Sequence, residues 1–359
     1  MKSRAQFAHL TLHSLSGSDW SSETALQIMQ TPDQDLPDLL WAAFEVRREF
    51  WGKRVKMCVL QNARSGLCPE DCSYCSQSVV STAGIDKYGL LSRQQLLEGA
   101  RNAVSAGANR YCMVTSGRGP GQRDLDHLAA TVREIKAEFP ALEICLSLGL
   151  MTEPQARQLG EAGVGWINHN LNSSRRFYPE ICSTHTYDDR VETLRSVQRA
   201  GLSTCSGGIM GMGEEDADTV ELALALRELE IDSIPVNFLH PVEGTPLQDR
   251  KGFDPLRGLK ALCLMRFLNP GSEIRMAAGR EIHLGGAASL ALYPANSIFV
   301  EGYLTTPGQK SEAAVSLILQ AGFTLEDEAS SEEGASAPFP SGPPYPSLDI
   351  LRANPTPGS

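Results

Sequence analysis

Short β-rich segments alternate with segments of helical periodicity along most of this 359-residue chain, and this alternation limits the possible folds more than any other feature. The β-rich segments are VKMCVLQN (55–62), NRYCMVTS (109–116), LEICLSLG (142–149), GVGWINHN (163–170), LSTCSGGIMG (202–211), SIPVNFLH (233–240), EIRMAAG (273–279) and NSIFVEG (296–302). Each is followed by a stretch with apolar residues at helical spacing, and several of these stretches end in Gly, a common helix stop. Eight strand–helix units predict an α/β fold, namely a (β/α)8 barrel of the TIM type.

The segments that flank these units differ from them in composition. Residues 1–50 predict a helical extension, because the stretch PDLLWAAFEVRREFWG (37–52) carries apolar residues at helical spacing. The barrel itself is predicted over residues 51–325. Residues 326–359 are rich in Pro, Ser, Gly and acidic residues, so they bury too little apolar surface to become ordered, and we expect a disordered tail.

The overall composition excludes several classes of protein. The net charge is −11 and no basic stripe is present, which gives no electrostatic support to nucleic-acid binding. No run of 18 apolar residues could span a membrane, and the N-terminal residues lack the apolar core of a secretory signal. Nine cysteines in a chain of this length do not form a secreted disulfide framework. We therefore expect a cytoplasmic protein whose clustered thiols bind metal or take part in chemistry.

Three cysteines lie within the stretch GLCPEDCSYCSQS (66–78), at positions Cys68, Cys72 and Cys75. The stretch follows the first predicted strand, so it lies at the C-terminal rim of the barrel, where barrel enzymes carry their catalytic groups. A structural zinc site is the alternative, but it needs four ligands, and the nearest later cysteine, Cys112, is on a separate strand. Three thiolates leave one iron of a cubane cluster with an open coordination site. The spacing therefore favours a 4Fe–4S cluster over zinc.

Polar residues occur on predicted strands whose inward positions are normally Val, Ile or Leu. Asn168 and Asn170 are two positions apart and so point to the same face of their strand, which favours contacts with a ligand in the barrel. Buried cysteines are common in protein cores, but three of them on separate strands together with an arginine are not. A buried Arg275 needs an anionic partner, and three thiolates that hold iron and sulfide would supply one. The residues of this interior set are Cys112, Cys145, Asn168, Asn170, Cys205, Asn237 and Arg275.

Other residues of the chain have no predicted role in a site. Cys58, Cys182 and Cys263 show no comparable grouping, and Cys263 lies in a predicted helix where packing is its expected role. His169 lies between two asparagines on the same strand, so it should point away from the barrel interior towards the helices.

The sequence CPEDCSYC (68–75) resembles the cluster loop of the radical S-adenosylmethionine (SAM) superfamily, which has the pattern C-x3-C-x-aromatic-C. The resemblance implies that Cys68, Cys72 and Cys75 hold the 4Fe–4S cluster and that SAM chelates its fourth iron. It also implies one-electron cleavage of SAM to a 5′-deoxyadenosyl radical. Tyr74 matches the aromatic position, which in the superfamily lies against the adenine.

Further motifs resemble the biotin synthase family in sequence and in order, namely YCMVTSG, CLSLG, NHNLNSS, CSGGIMGMGE, VNFLHPVEGTPL, IRMAAGRE and NSIFVEG. This resemblance covers about residues 30–325. It implies that Cys112, Cys145, Cys205 and Arg275 hold a second, 2Fe–2S cluster inside the barrel. The implied reaction is radical insertion of sulfur into dethiobiotin to give biotin. The implied partners are flavodoxin or ferredoxin as electron donor and a second copy of the chain in a homodimer.

The same resemblance assigns the asparagines. It implies that Asn168, Asn170 and Asn237 lie near dethiobiotin, and that Asn170 and Asn172 contact the ribose of SAM. Amides suit both tasks, because they donate and accept hydrogen bonds. This sequence departs from the family pattern in two places, since some members have Asp at the position of Asn172 and many have Tyr at that of Ile167.

Two other interpretations stay open from the sequence. A different radical enzyme on the same barrel, such as a hydrogenase-maturation or methylornithine-forming relative, would need the three-cysteine stretch but not the four interior ligands together. A zinc-binding scaffold protein would be colourless and indifferent to oxygen.

Overall fold

The computed structural model describes residues 4–326, so the tail predicted to be disordered lies, apart from Glu326, outside the described residues. Three helices precede the first strand: α1 (Arg4–Leu15), α2 (Ser22–Met29) and α3 (Leu36–Trp51). Arg47 on α3 is fully buried and stacks on Phe323 with its guanidinium carbon 4.4 Å from the ring centre. It also donates to the carbonyl oxygen of Arg54 at 2.6 Å, at the start of the first strand. This contact ties the helical extension to the barrel.

Ten strands follow in the described chain, all in parallel pairs. They are β1 (Arg54–Arg64), β2 (Arg110–Thr115), β3 (Glu143–Ser147), β4 (Trp166–Asn168), β5 (Ser203–Cys205), β6 (Gly208–Met210), β7 (Ser233–Phe238), β8 (Glu273–Met276), β9 (Ser297–Val300) and β10 (Thr324–Leu325). Strand β9 pairs with β1 and closes the sheet, which confirms the predicted TIM-type barrel.

The fifth position of the barrel differs from the prediction of one continuous strand over 202–211. Strands β5 and β6 share this position, and both pair with β7. The break lies at Gly207, where a Cβ atom would collide with the carbonyl oxygen of Pro235 on β7. The close approach of two backbones therefore interrupts the strand. The short β10 pairs with the start of β1, outside the closed barrel.

Helices connect successive strands on the outside. They are α4 (Arg93–Ser105), α5 (Gln122–Glu138), α6 (Glu153–Gly160), α7 (Tyr187–Arg199), α8 (Asp216–Glu228), α9 (Pro255–Leu268), α10 (Arg280–His283) and α11 (Ser311–Gln320). Helix α4 starts at a capping box of Ser92 and Gln95, which satisfies backbone N–H groups that lack partners in the first turn. The predicted helix HLGGAASLAL (283–292) is mostly a 3-10 segment over Gly285–Leu292, which follows the short α10, consistent with the low helix propensity of its glycines.

Among the helices of the described chain, none has the length and apolarity that crossing a bilayer requires. Cys263 is fully buried in α9, as expected for a packing residue.

Candidate radical SAM and iron–sulfur site

A cavity of about 340 Å³, which we call the upper cavity, opens at the C-terminal ends of the strands. All three cysteines of the predicted cluster loop border it, together with Tyr74. The amide residues of the predicted substrate and cofactor sites border it as well, namely Asn168, Asn170, Asn172 and Asn237. The fold therefore brings Cys68 and Asn237, which lie 169 positions apart in sequence, to one space.

The three-cysteine loop, residues 66–78, starts at a sharp turn after β1. Gly66 and Leu67 both have positive φ, at 67° and 54°. Gln77 accepts a hydrogen bond from the backbone N–H of Gly66 at 3.0 Å and so closes the base of the loop. The N–H of Cys75 donates to the carbonyl oxygen of Cys72 at 3.1 Å, a turn that places both cysteines on the cavity side.

Two thiols of this loop, those of Cys72 and Cys75, have pKa values above that of a free cysteine. The hydrogen bond to Cys182 is the larger cause that raises the pKa of Cys72, and burial is the next. Burial raises the pKa of Cys75. Because a thiol binds iron as the thiolate, metal binding at this loop must release protons.

Cys182 lies against this loop, so the prediction that it has no grouping is wrong. Its Sγ is 3.8 Å from Sγ of Cys72 and 3.3 Å from Nδ1 of His185. The imidazole of His185 also bonds to the carboxylate of Glu70, while its Nε2 lies 2.8 Å from the guanidinium of Arg190. Sequence reasoning missed this group because Cys182 and Cys72 are 110 positions apart.

Tyr74 and Asn172 meet at the wall of the upper cavity, where Nδ2 of Asn172 donates to the Tyr74 hydroxyl. Asn172 adopts a left-handed conformation with φ 69°, which asparagine tolerates better than most residues. Its backbone N–H donates to the carbonyl oxygen of Gly207 at 2.9 Å. Asn172 is therefore held by its backbone, and its amide faces the predicted cofactor position.

A second cavity of about 200 Å³, the interior cavity, lies deeper in the barrel. All seven residues of the predicted interior set border it: Cys112, Cys145, Asn168, Asn170, Cys205, Asn237 and Arg275. The apolar side chains of Leu60 and Phe299 complete much of its wall. A hydrogen bond with Cys145, together with burial, raises the pKa of Cys112. The three thiols thus come from β2, β3 and β5 and converge on one space.

The three asparagines lie between the two cavities, since each borders both. Nδ2 of Asn168 is 3.2 Å from Sγ of Cys205 and 3.2 Å from Oδ1 of Asn170. Asn237 is fixed on β7, because its Nδ2 donates to the carbonyl oxygen of Gly208 at 3.2 Å. A molecule bound at these amides would have the three-cysteine loop on one side and the interior thiols on the other.

Arg275 has a carboxylate partner, which corrects the prediction that thiolates would balance its charge. Its guanidinium forms an ion pair with the fully buried Glu273, and it donates to the hydroxyls of Ser297 and Ser233 at 3.0 and 3.1 Å. A further guanidinium nitrogen is 3.7 Å from Sγ of Cys205. The positive charge of Arg275 is therefore already compensated where its guanidinium reaches the interior thiols, because a buried charge without a partner is costly.

The ion pair extends into a buried charge network below the interior cavity. Arg110 donates to Glu273 at 3.0 Å and to Glu143 at 2.7 Å, and Glu143 also pairs with Lys56 at 3.0 Å. Burial alone would raise the pKa of Glu273, but Arg110, Arg275 and Lys56 together hold it well below its usual range. Sequence reasoning missed Glu273, because a single acidic residue at the start of a strand carries no periodic signal.

Two further residues lie close to these cavities. Cys58 is buried beside the network, with Sγ 3.7 Å from the Ser297 hydroxyl, and burial raises its pKa to about 12. His169 is buried near Arg190 of α7, but it also borders the upper cavity, which differs from the predicted orientation towards the helices alone.

The donor sets suit the groups that the sequence implied. Three thiols without a fourth protein ligand of the same loop fit a cluster with one open iron. The interior set offers three thiols and one guanidinium in a pocket whose other walls are mostly apolar. In the glycine-rich segment 207–213, Ile209 borders the upper cavity, while Gly207 packs against the backbone of Pro235 on β7.

Comparisons with known proteins agree with this geometry. Residues 64–226 match the model of the Radical SAM superfamily, and residues 235–324 match the Biotin and Thiamin Synthesis associated domain. The chain is 46% identical to a biotin synthase of Bacillus cytotoxicus over 327 residues, which cover 91% of this chain and 98% of the relative. It is 48% identical to biotin synthase 2 of Frankia casuarinae over 332 residues, which cover 91% of this chain and 92% of that protein.

Solved structures resemble the fold at lower sequence identity. Methylornithine synthase superimposes with a TM-score of 0.78 at 20% identity, covering 90% of this chain and 99% of the other. The FeFe-hydrogenase maturase HydG from Carboxydothermus hydrogenoformans gives a TM-score of 0.74 at 17% identity, covering 89% of this chain and 79% of the other. At these identities the likeness concerns the barrel and carries no information on the substrate.

Proposed function

The chain belongs to the biotin synthase family of the radical SAM superfamily, and we propose that it inserts sulfur into dethiobiotin to form biotin. One observation carries the proposal: two separate sets of thiols border two cavities that share a wall of amide side chains. A radical enzyme that does not insert sulfur needs the upper set but not the lower one. A zinc scaffold needs neither the amide wall nor the interior arginine.

The ligand assignments are those that the family resemblance implies, and the way these residues share each cavity supports them. Cys68, Cys72 and Cys75 would hold a 4Fe–4S cluster, with SAM on its open iron beside Tyr74, Asn170 and Asn172. Cys112, Cys145, Cys205 and Arg275 would hold a 2Fe–2S cluster in the interior cavity. When bound, these groups supply the electron that cleaves SAM, the radical that removes hydrogen from carbon, and the sulfur that is inserted.

The amide wall positions the substrate in this proposal. Asn168, Asn170 and Asn237 can donate to and accept from a ureido ring, and their own hydrogen bonds restrict them to few orientations. In this position the reacting carbons would lie towards the interior thiols, and such positioning is a contribution that the protein itself makes to the reaction. Leu60 and Phe299 keep water away from the same space.

Glu273 and the serines position the arginine. The planar guanidinium of Arg275 makes its contacts to Glu273, Ser233 and Ser297 with Nε and one terminal nitrogen. Its other terminal nitrogen, Nη1, is the one directed to Cys205. The network therefore fixes which atom of Arg275 is available to the interior set.

We extend the proposal to the finer expectations of the family: a cytoplasmic homodimer that takes electrons from a flavodoxin or a ferredoxin. The position of the three-cysteine loop at the rim supports the last point, because Leu67 next to Cys68 is 77% exposed. An electron donor can approach the loop there without entering the barrel.

The test is an anaerobic assay of the reconstituted full chain with dethiobiotin, SAM and a reductant. Two products are measured, biotin and 5′-deoxyadenosine. We expect Cys205→Ala to abolish biotin while leaving most of the cleavage of SAM, because only the interior set is damaged. Cys75→Ala should abolish both products. Cys263→Ala should retain both, because Cys263 is buried in α9 and borders neither cavity. If Cys205→Ala makes biotin at the normal rate, the interior assignment is wrong.

A further inference from the structure

A fourth thiol lies directly behind the three-cysteine loop. Cys182 comes from the segment between β4 and α7, and its Sγ is 3.8 Å from Sγ of Cys72. Both side chains are buried, with exposed fractions of 6% and 8%. Cys182 lies outside the C-x3-C-x2-C spacing and has no part in the reaction proposed above.

Backbone contacts on both sides of the pair hold the two segments together. The N–H of Ser73 donates to the carbonyl oxygen of Ile181 at 2.9 Å. On the other side, the carboxylate of Asp71 accepts from the N–H groups of Ser183 at 2.9 Å and Thr184 at 3.2 Å. Each cysteine thus has an immediate neighbour bonded to the opposite segment. The two segments that carry the sulfurs are therefore held together by these hydrogen bonds as well as by the contact between the thiols.

We propose that Cys72 and Cys182 form a reversible disulfide when the three-cysteine loop holds no iron. Sulfurs 3.8 Å apart need to approach by less than 2 Å to reach the bond length of about 2.05 Å, which side-chain rotation can provide. The pair is then an oxidative modification site that joins the cluster loop to the segment before α7.

A low-molecular-weight disulfide such as oxidised glutathione supplies the oxidant. Cys72 borders the upper cavity and Cys182 does not, so the reagent reaches Cys72 first. The Cys72 thiol loses its proton and displaces one glutathione thiolate, which takes up that proton, and a mixed disulfide forms. Cys182 then attacks the Cys72 sulfur and releases the second glutathione as a thiol. Two cysteines are oxidised by two electrons, and one glutathione disulfide is reduced to two thiols.

A metal ion is the competing occupant of this group, because the ligand atoms of Cys72, Cys182 and His185 lie within 4.8 Å of one another. Both nitrogens of His185 already have partners, since Nδ1 bonds to Glu70 and Nε2 accepts from Arg190. The guanidinium of Arg190 is also a fixed positive charge beside the space a cation would occupy. The arrangement therefore favours a bond between the sulfurs over a bound cation.

The inference rests on the proposed function in one respect only: a cluster on Cys72 would keep that sulfur from pairing. The disulfide itself needs no cluster, no SAM and no substrate. If the wild-type chain formed no biotin in the assay above, the proposed function would be refuted, but the inference about the disulfide would stand. The two failures are therefore distinguishable.

The experiment uses the full chain, freed of iron by a chelator and reduced under anaerobic conditions. It is treated with oxidised glutathione, its remaining thiols are alkylated, and its peptides are mapped by mass spectrometry without reduction. We expect one linked peptide pair that contains Cys72 and Cys182. In Cys182→Ser, Cys72 should retain glutathione as a stable mixed disulfide. Cys263→Ser, the matched control, should give the wild-type pattern.

Three results would overturn the inference. They are a link from Cys72 to Cys68 or Cys75 in the wild type, persistent glutathione on Cys72 in the wild type, and stoichiometric zinc on the iron-free protein that is lost in Cys182→Ser. Reconstitution with iron and sulfide before the treatment should protect Cys72 from both glutathione and alkylation. The wild-type map alone decides the question if a variant does not fold.

Discussion

Replacing Glu273 by glutamine should be among the most destabilising isosteric changes in this chain. Glu273 is fully buried and its carboxylate lies between the guanidiniums of Arg110 and Arg275. Glutamine has the same shape but no charge, so two buried cations would face each other across a neutral amide. Removing one partner of a buried ion pair costs about 3–5 kcal/mol, because the charge that remains is uncompensated. This corresponds to a shift of roughly two to three and a half orders of magnitude in the folding equilibrium.

Glu143→Gln is the matched control. Glu143 contacts Arg110 and Lys56 in the same network, but 29% of its side chain is exposed. Water can replace part of the lost interaction, so we expect a cost of about 1 kcal/mol or less. The comparison keeps the chemistry of the substitution constant and changes only the burial of the carboxylate.

The assay is urea unfolding of the iron-free full chain, with tryptophan fluorescence as the signal. Trp166 reports on the network itself, because the guanidinium carbon of Arg110 lies 3.7 Å from its ring centre. The free energy of unfolding is compared for wild type, Glu273→Gln and Glu143→Gln. A loss in Glu273→Gln no larger than that in Glu143→Gln would refute the argument from buried charge.

The pH dependence gives a second check on the same residue. The folded-state pKa of Glu273 lies below its ordinary value, so its contribution to stability is present above the unfolded pKa of about 4.3. The contribution disappears as the pH falls through the folded pKa. The stability difference between wild type and Glu273→Gln should therefore be constant from about pH 5.5 to 8 and should shrink in stronger acid. A difference that grows below pH 4 would contradict this sign.

Other substitutions test the backbone at two glycines and the side chains that border the proposed SAM site. Gly207→Ala should destabilise the fold by about 2 kcal/mol or more, because its Cβ would collide with the carbonyl oxygen of Pro235. Gly165→Ala, where a Cβ meets no atom within 4 Å, should be neutral or stabilising by up to about 1 kcal/mol, and equal thermal shifts in the two variants would contradict the argument. Asn172→Gly keeps the left-handed backbone accessible but removes the amide. We therefore expect the SAM concentration at half-maximal activity to rise about tenfold, with little change in the free energy of unfolding. Tyr74→Phe should raise the same SAM concentration by a smaller factor, because it removes only the hydroxyl that Asn172 contacts. A larger factor than in Asn172→Gly would contradict this and show that the hydroxyl contributes independently of Asn172.

Local pattern was sufficient to predict the barrel. The alternation of β-rich segments with segments of helical periodicity located the strands of the closed sheet, and the spacing of Cys68, Cys72 and Cys75 located the rim loop. Strand membership placed Cys112, Cys145 and Cys205 around one interior, because inward positions of a closed parallel sheet share a single space. The assignment of these thiols to particular clusters came from the family resemblance.

Long-range partners were beyond reach from the sequence. Cys182 was left without a group because its contact with Cys72 depends on how the segment after β4 folds over the rim. Glu273 was missed for a similar reason: its carboxylate joins residues of β2 and β8, and a single acid gives no periodic signal. The broken fifth strand depends on how close Gly207 comes to β7, a distance that a run of glycines does not encode.

Paired charges occupy the N-terminal end of the barrel strands, in the network of Lys56, Arg110, Glu143, Glu273 and Arg275. The upper cavity, with the three-cysteine loop at its rim, opens at the C-terminal end. If the interior cavity holds the proposed second cluster, its iron and sulfide would enter through the upper cavity before SAM and the substrate fill that space. Assembly would then begin with the interior cluster, and its repair would require an empty upper cavity.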